Sequence, residues 1–232
     1  MPTPKIKICG LTDPKEASYL NEAKVDYAGF VFYEKSKRNI NVEKAKEIFA
    51  SLDDSIKKVA VMVSPSKEDI IEKNENGFDI VQIHKELKKE VLEASTLPVW
   101  YAINIEDEDE ANRKMEYLES FSEELRNKIE AIVVDAPVFG SGKTFNWKKS
   151  KRLLKAGAQS PPTFVLAGGL NALNVEEGIN IFGPDVVDVS SGVESEIVET
   201  ARNSAENEIN KTGKDRQKIL DFVAAVRNTK ED

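Results

Sequence analysis

The sequence predicts an α/β fold, a single-domain (βα)8 barrel of the TIM-barrel class. Three observations lead there. Short apolar, β-branched runs alternate with longer helical patterns from end to end, the alternation completes eight units, and 232 residues suit one barrel of about 250. Such alternation implies parallel strands joined by crossover helices. At about 29 residues each, the units are close to the smallest βα repeat. An open doubly wound sheet shares this periodicity; the count of eight favours closure.

The strands are expected, in order, at Lys5–Cys9, Asp26–Phe32, Lys57–Val63, Asp79–Ile83, Val99–Ile103, Ala131–Asp135, Thr163–Ala167 and Asp185–Val189. Each is a run such as Lys-Lys-Val-Ala-Val-Met-Val or Ala-Ile-Val-Val-Asp, bounded by polar or turn-forming residues. The intervening polar-rich stretches predict helices at Pro14–Ala23, Val42–Ser51, Lys67–Asn76, Lys88–Ala94, Glu108–Asn127, Lys148–Lys155 and Ala172–Ile181. A last helix is expected over Asp215–Arg227. The acidic stretch from Glu106 reads as a solvated helix face. Residues 1–232 form one domain in this reading, with an atypical insertion at about 194–214, rich in Asn, Glu and Ser, before the last helix.

Composition narrows the function. With 41 acidic against 33 basic residues and a net charge of −8, the chain lacks the basic footprint that nucleic acid requires. No apolar run of about 18 residues occurs, and no signal peptide is legible at the start, so the expectation is a cytoplasmic protein that does not engage membranes. Cys9 is the only cysteine, which excludes an internal disulfide and suits a reducing compartment. One histidine and one cysteine far apart argue against a metal site, and no cofactor is expected. An anionic ligand would be repelled by the overall field, so its binding must rest on helix N-termini, backbone amides and a few placed cations.

In this fold the site forms where strands end, on the C-terminal rim. Polar residues at those ends are Cys9, Asp135, Gly168-Gly169 after the seventh strand and Ser190-Ser191-Gly192 after the eighth. Barrels commonly hold phosphate with the loops after strands seven and eight. Gly168, Gly169, Ser190, Ser191 and Gly192 fit that use, since glycines let backbone N–H groups approach oxygens and hydroxyls add donors. Gly140, Ser141 and Gly142, after the sixth strand, are of similar make. The plain alternatives are a small buried hydrophobe for Cys9, an N-cap for Asp135 and ordinary turns for the glycines.

Lys7-Ile-Cys-Gly-Leu-Thr12 resembles the opening signature of phosphoribosylanthranilate isomerases of tryptophan biosynthesis. The resemblance continues through Gly29–Tyr33, Lys35–Arg38, Val81–His84, Gly140–Trp147, Gly168–Leu170 and Val187–Glu194, and on to Lys214-Asp215. It implies an Amadori rearrangement of a small phosphosugar substrate, with Cys9 as general base and Asp135 as general acid. It implies further that Arg38 grips the anthranilate carboxylate, that Asp188 meets ribose hydroxyls, and that His84 and Lys7 contact substrate. Desolvation is expected to raise Asp135, and Lys7, a helix N-terminus or the geometry of the bound substrate to favour the Cys9 thiolate. The expected assembly is a monomer or homodimer. Lys85 stands where the family usually has Gly, Phe139 replaces a Gly, and Asn146 replaces an Asp. A histidine-pathway phosphosugar isomerase is the near alternative, but it resembles a pair of aspartates, whereas the first strand here ends in Cys9. A non-catalytic phosphometabolite-binding barrel is the other.

Overall fold

The computed structural model describes residues 2–104, 108–135, 163–195 and 213–229. Among these, eight strands follow one another as β1 Lys5–Cys9, β2 Tyr27–Phe32, β3 Lys57–Val63, β4 Ile80–His84, β5 Val99–Asn104, β6 Ile129–Asp135, β7 Thr163–Ala167 and β8 Val186–Val189. Every neighbouring pair is parallel, and β1 pairs with β8 (Lys7 opposite Asp188), so the sheet closes into a barrel in sequence order. The open-sheet alternative is thereby excluded.

The described helices are α1 Lys15–Ala23, α2 Val42–Phe49, α3 Lys67–Glu75, α4 Lys89–Ala94, α5 Glu108–Glu119, α6 Glu123–Arg126, α7 Val175–Phe182 and α8 Arg216–Arg227. Local chemistry starts several of them. Asn41 caps α2 by accepting from Lys44 N, and Ser66 with Asp69 forms a reciprocal capping box on α3. Asp215 caps α8, whose buried Ile219, Phe222, Val223 and Val226 recur at helical spacing and face the barrel.

Three differences from the sequence reading have physical causes. The helix expected over Glu108–Asn127 is two helices, because Ser122 turns out of the first and caps α6 through Leu125 N. Asp26, Asp79 and Asp185, read as first strand residues, precede their strands. Each bends its carboxylate to the neighbouring strand instead, accepting from Ile6 N at 2.8 Å, Lys58 N at 2.7 Å and Phe164 N at 2.8 Å. The fourth strand, expected to stop at Ile83, runs one residue further, and His84 ends β4. The helix expected over Lys148–Lys155 lies outside the described residues, as does the inner part of the 194–214 insertion. Its two ends meet: Glu194 and Lys214 form an antiparallel bridge, and Ser195 N donates to Gly213 O at 3.0 Å.

Side chains alternate along each strand, as the pleat requires. Ile6, Ile8, Phe30, Met62, Ile83, Val134, Leu166 and Val187 face the helices in one apolar cluster. Tyr27, Val59, Val61, Ile80, Trp100, Val133, Val165 and Val186 fill the barrel, with Tyr27 and Trp100 edge to face at 4.9 Å. This packed interior is the floor on which the site rests.

Candidate active site

The inward parity of β1, β4, β6 and β8 carries upward from that floor to Cys9, Gln82 and His84, Asp135, and Asp188 with Ser190 beyond it. Together with Arg38, Gly168, Gly169 and Ser191 they line one cavity of about 350 Å³ at the C-terminal rim. That volume suits a small ligand.

Cys9 is held from both sides. Ser190 Oγ donates to its carbonyl at 2.8 Å, tying the ends of β1 and β8 together. A Cβ on Gly29, its register partner on β2, would come within 2.8 Å of the Cys9 Sγ, so only glycine leaves the thiol its place. Below Cys9 lies Lys7, fully buried, whose Nζ donates to Asp188 Oδ2 at 2.7 Å. Burial works against the Lys7 charge, but Asp188 and Cys9 more than offset it and hold its pKa above the usual value. Burial likewise pushes Asp188 up, against the pull of Lys7.

The Cys9 thiol is deeper than the sequence shows, and depth sets its ionisation in the free protein. Lys7 does draw its pKa down, and so does Lys214, but burial outweighs both and Asp188 adds to it, so the thiol is pushed up. A lysine's influence was legible in the chain; the depth of the thiol was not.

His84 is neutral at ordinary pH. Burial, Lys7 and Lys114 together lower it to about 4. Gln82 Nε2 lies 2.9 Å from His84 Nε2. With the Gln82 amide in this orientation its nitrogen donates and the ring nitrogen accepts, which puts the imidazole proton on Nδ1. Two buried acceptors in the cavity wall, Gln82 Oε1 and Asp188 Oδ1, have no hydrogen-bond partner among the described residues. Such orphans are rare in a finished interior and are suited to ligand hydroxyls.

Most residues singled out in the sequence converge here. Lys7 is the support beneath Asp188 and Cys9 and does not reach the cavity wall. Gly192 sits behind it in the short 3-10 turn Ser191–Val193, where a side chain would collide with the Leu170 carbonyl. Gly168 and Gly169 turn with φ of 91° and 61°. Gly140, Ser141 and Gly142 lie outside the described residues, as do Phe139 and Asn146. Lys85 adopts φ 65°, a left-handed conformation that favours glycine, so this departure from the family pattern carries backbone strain. Sequence reading missed Gln82, Glu194 and Lys214. For Gln82 the signal was available, since it shares the inward parity of His84; Glu194 and Lys214 fall in stretches that resemble the family, but nothing local gives them a role. Among the described residues no three His, Cys, Asp or Glu side chains gather to hold a metal ion, and no helix is long and apolar enough to cross a membrane.

The fold and this cavity define a (βα)8 barrel with a thiol, a carboxyl and a guanidinium gathered at one rim. Residues 6–201 match the family model for N-(5'phosphoribosyl)anthranilate (PRA) isomerase. An N-(5'-phosphoribosyl)anthranilate isomerase of Thermoanaerobacter pseudethanolicus is 40% identical over 198 residues, covering 83% of this chain and 90% of the relative. One from Clostridium kluyveri is 35% identical over 229 residues, covering 97% and 99%. The crystal structure of the phosphoribosyl anthranilate isomerase from Thermotoga maritima superimposes with a TM-score of 0.74 at 30% identity, covering 97% of this chain and 98% of the other. A further structure of this kind, in complex with reduced 1-(o-carboxyphenylamino)-1-deoxyribulose 5-phosphate, gives 0.73 at 29% identity, with the same coverage. The chain belongs to the N-(5'-phosphoribosyl)anthranilate isomerase family.

Proposed function

We propose that this chain catalyses the Amadori rearrangement of N-(5'-phosphoribosyl)anthranilate to 1-(o-carboxyphenylamino)-1-deoxyribulose 5-phosphate, with Cys9 as general base and Asp135 as general acid. The observation that carries the reading is the convergence of the Cys9 thiol, the Asp135 carboxyl and the Arg38 guanidinium on one cavity. Asp135 delivers its proton to the furanose ring oxygen as the C1–O bond breaks, and the nitrogen lone pair closes a Schiff base. The Cys9 thiolate then takes the proton from C2. The electrons of that C–H bond form C1=C2 while the C=N pair returns to nitrogen. The enolamine so formed tautomerises to the ketone.

Every step moves a proton, which is work for two groups of separated acidity. Arg38 receives the anthranilate carboxylate, because a planar guanidinium offers paired N–H donors that a lysine cannot. The backbone N–H groups of Gly168, Gly169, Ser190, Ser191 and Gly192, with the Ser191 hydroxyl, serve the phosphate, joined by Gly140, Ser141 and Gly142. The free oxygen of Asp188 accepts from a ribose hydroxyl, and His84 presents its Nδ1 proton. The chain works as a monomer or homodimer.

The test follows loss of substrate fluorescence during turnover. Cys9→Ser and Asp135→Asn are each expected to lower kcat by on the order of 10²–10⁴-fold. Affinity for the reduced product analogue should change only a few-fold. Because the reacting form pairs a thiolate with a protonated Asp135, and burial raises the free thiol, kcat/KM of the unmodified protein should begin to fall only above the ordinary cysteine value of 9.0. Near-normal rates in both variants would sink the assignment.

A further inference from the structure

Glu194 has no part in the chemistry above, yet three cations meet on its buried carboxylate. Arg38 donates through Nε to Oε1 and through Nη2 to Oε2 at 3.1 Å. Lys214 Nζ donates to Oε1 at 3.1 Å and Lys37 Nζ to Oε2 at 2.9 Å. Glu194 is 6% exposed and the Lys214 side chain 1%. Burial alone would push the Glu194 pKa up, but Arg38, Lys214 and Lys37 together hold it at about 2, so the carboxylate stays charged.

The backbone around this carboxylate is fixed. Glu194 leaves the 3-10 turn into its bridge with Lys214, and Asp215 N donates to Val193 O at 2.8 Å. Glu16, fully buried on α1, accepts from Lys214 N at 2.6 Å and Thr12 N at 2.7 Å, joining the loop after β1 to the same knot. Lys214 Nζ also reaches the Ser190 carbonyl at 3.1 Å, one hydroxyl away from Cys9. The stem of Arg38 lies over Gly10, where a Cβ would collide with its Cδ.

The geometry of the guanidinium gives this arrangement meaning. Nε and Nη2 form its side-on fork, and Glu194 fills that fork. Nη1, which with the second N–H of Nη2 makes the end-on fork, has no hydrogen-bond partner among the described residues, and Arg38 lines the cavity. We propose that Glu194 is a positioning residue: by holding the side-on fork of Arg38, it fixes the guanidinium plane so that the end-on fork is preset for the substrate's carboxylate. A long flexible side chain ordered before binding loses less entropy when the ligand arrives. The inference rests on the reading of Arg38 as the carboxylate's partner, and the experiment separates the two.

Calorimetric titration would use the reduced product analogue and its phenylamino counterpart lacking the carboxyl group, on the full chain and on E194Q, E194D and R38K. Both Glu194 variants are expected to fold, to bind the carboxylate ligand a few-fold to about tenfold more weakly, and to bind the carboxyl-free ligand as before. In turnover the loss should appear in KM, with kcat nearly unchanged. Equal losses for the two ligands, or no loss, would overturn the proposal. So would failure of both variants to fold, which would make Glu194 a folding determinant. If R38K keeps the preference for the carboxylate ligand, the role given to Arg38 itself fails. If R38K loses that preference while E194Q retains it, only the role of Glu194 fails.

Discussion

Two single residues display how far environment overrides intrinsic acidity. Cys9 sits with two lysines near enough to favour its thiolate, yet its depth in the barrel mouth prevails. At His84 burial and the nearby Lys7 and Lys114 act in the same direction and keep the ring neutral to about pH 4. The second case has a consequence for stability. An unfolded chain binds a proton at this residue near pH 6.5, whereas the folded chain resists it until about 4. The contribution is therefore complete above about pH 6.5 and is lost as pH falls through that window, up to about 3 kcal/mol in all. Urea unfolding at pH 7 and pH 4.5 measures it: His84→Gln should flatten the decline, and an unchanged slope would refute this origin. Cys9 and Asp135 were legible as polar residues ending apolar strands. The role of Glu194 was not, because a glutamate five residues past a strand looks like any solvated charge until its partner, 156 residues away, is in place.

The elements show a division of labour between the two ends of the barrel. At the lower end, Asp26, Asp79 and Asp185 satisfy backbone N–H groups on adjacent strands, where an orphaned donor would be costly. At the upper end, short loops and the 3-10 turn leave polar groups facing the cavity. The last helix, α8, links the two roles. Its N-cap Asp215 adjoins Lys214, and its apolar face packs on α1, α7 and the turn that carries Glu194. Phe222 on that face is fully buried. Phe222→Ala should lower global stability by about 3–5 kcal/mol, through lost burial and the cavity left behind. A denaturant titration with unchanged slope reads this directly; a loss under about 1 kcal/mol would mean that α8 is peripheral.

For the molecule as a whole, the single interior and the pairing of β1 with β8 make the ends of the barrel interdependent. We expect residues 1–232 to unfold in one cooperative transition, with calorimetric and van't Hoff enthalpies equal. Two separable transitions would divide the chain into domains instead. The charge distribution is equally a property of the whole. Against a net charge of −8, Arg38, Lys37 and Lys214 meet on the single carboxylate of Glu194, a local excess of positive charge beside the cavity of an acidic molecule.

The sequence by itself determined eight alternating strand–helix units and favoured a barrel, because the two-residue pleat and the strand–helix alternation are local and repeat along the chain; the pairing of β1 with β8 decided closure. It also determined which residues could end strands, and hence that a thiol and a carboxyl belong to the same rim. Only the tertiary structure decided which charges meet: Lys7 with Asp188, and Arg38, Lys37 and Lys214 on Glu194. Only it decided that burial outweighs the lysines at Cys9. The reason is that Coulomb energy and desolvation depend on separation and depth in space, and barrel closure makes neighbours of residues that no local pattern links.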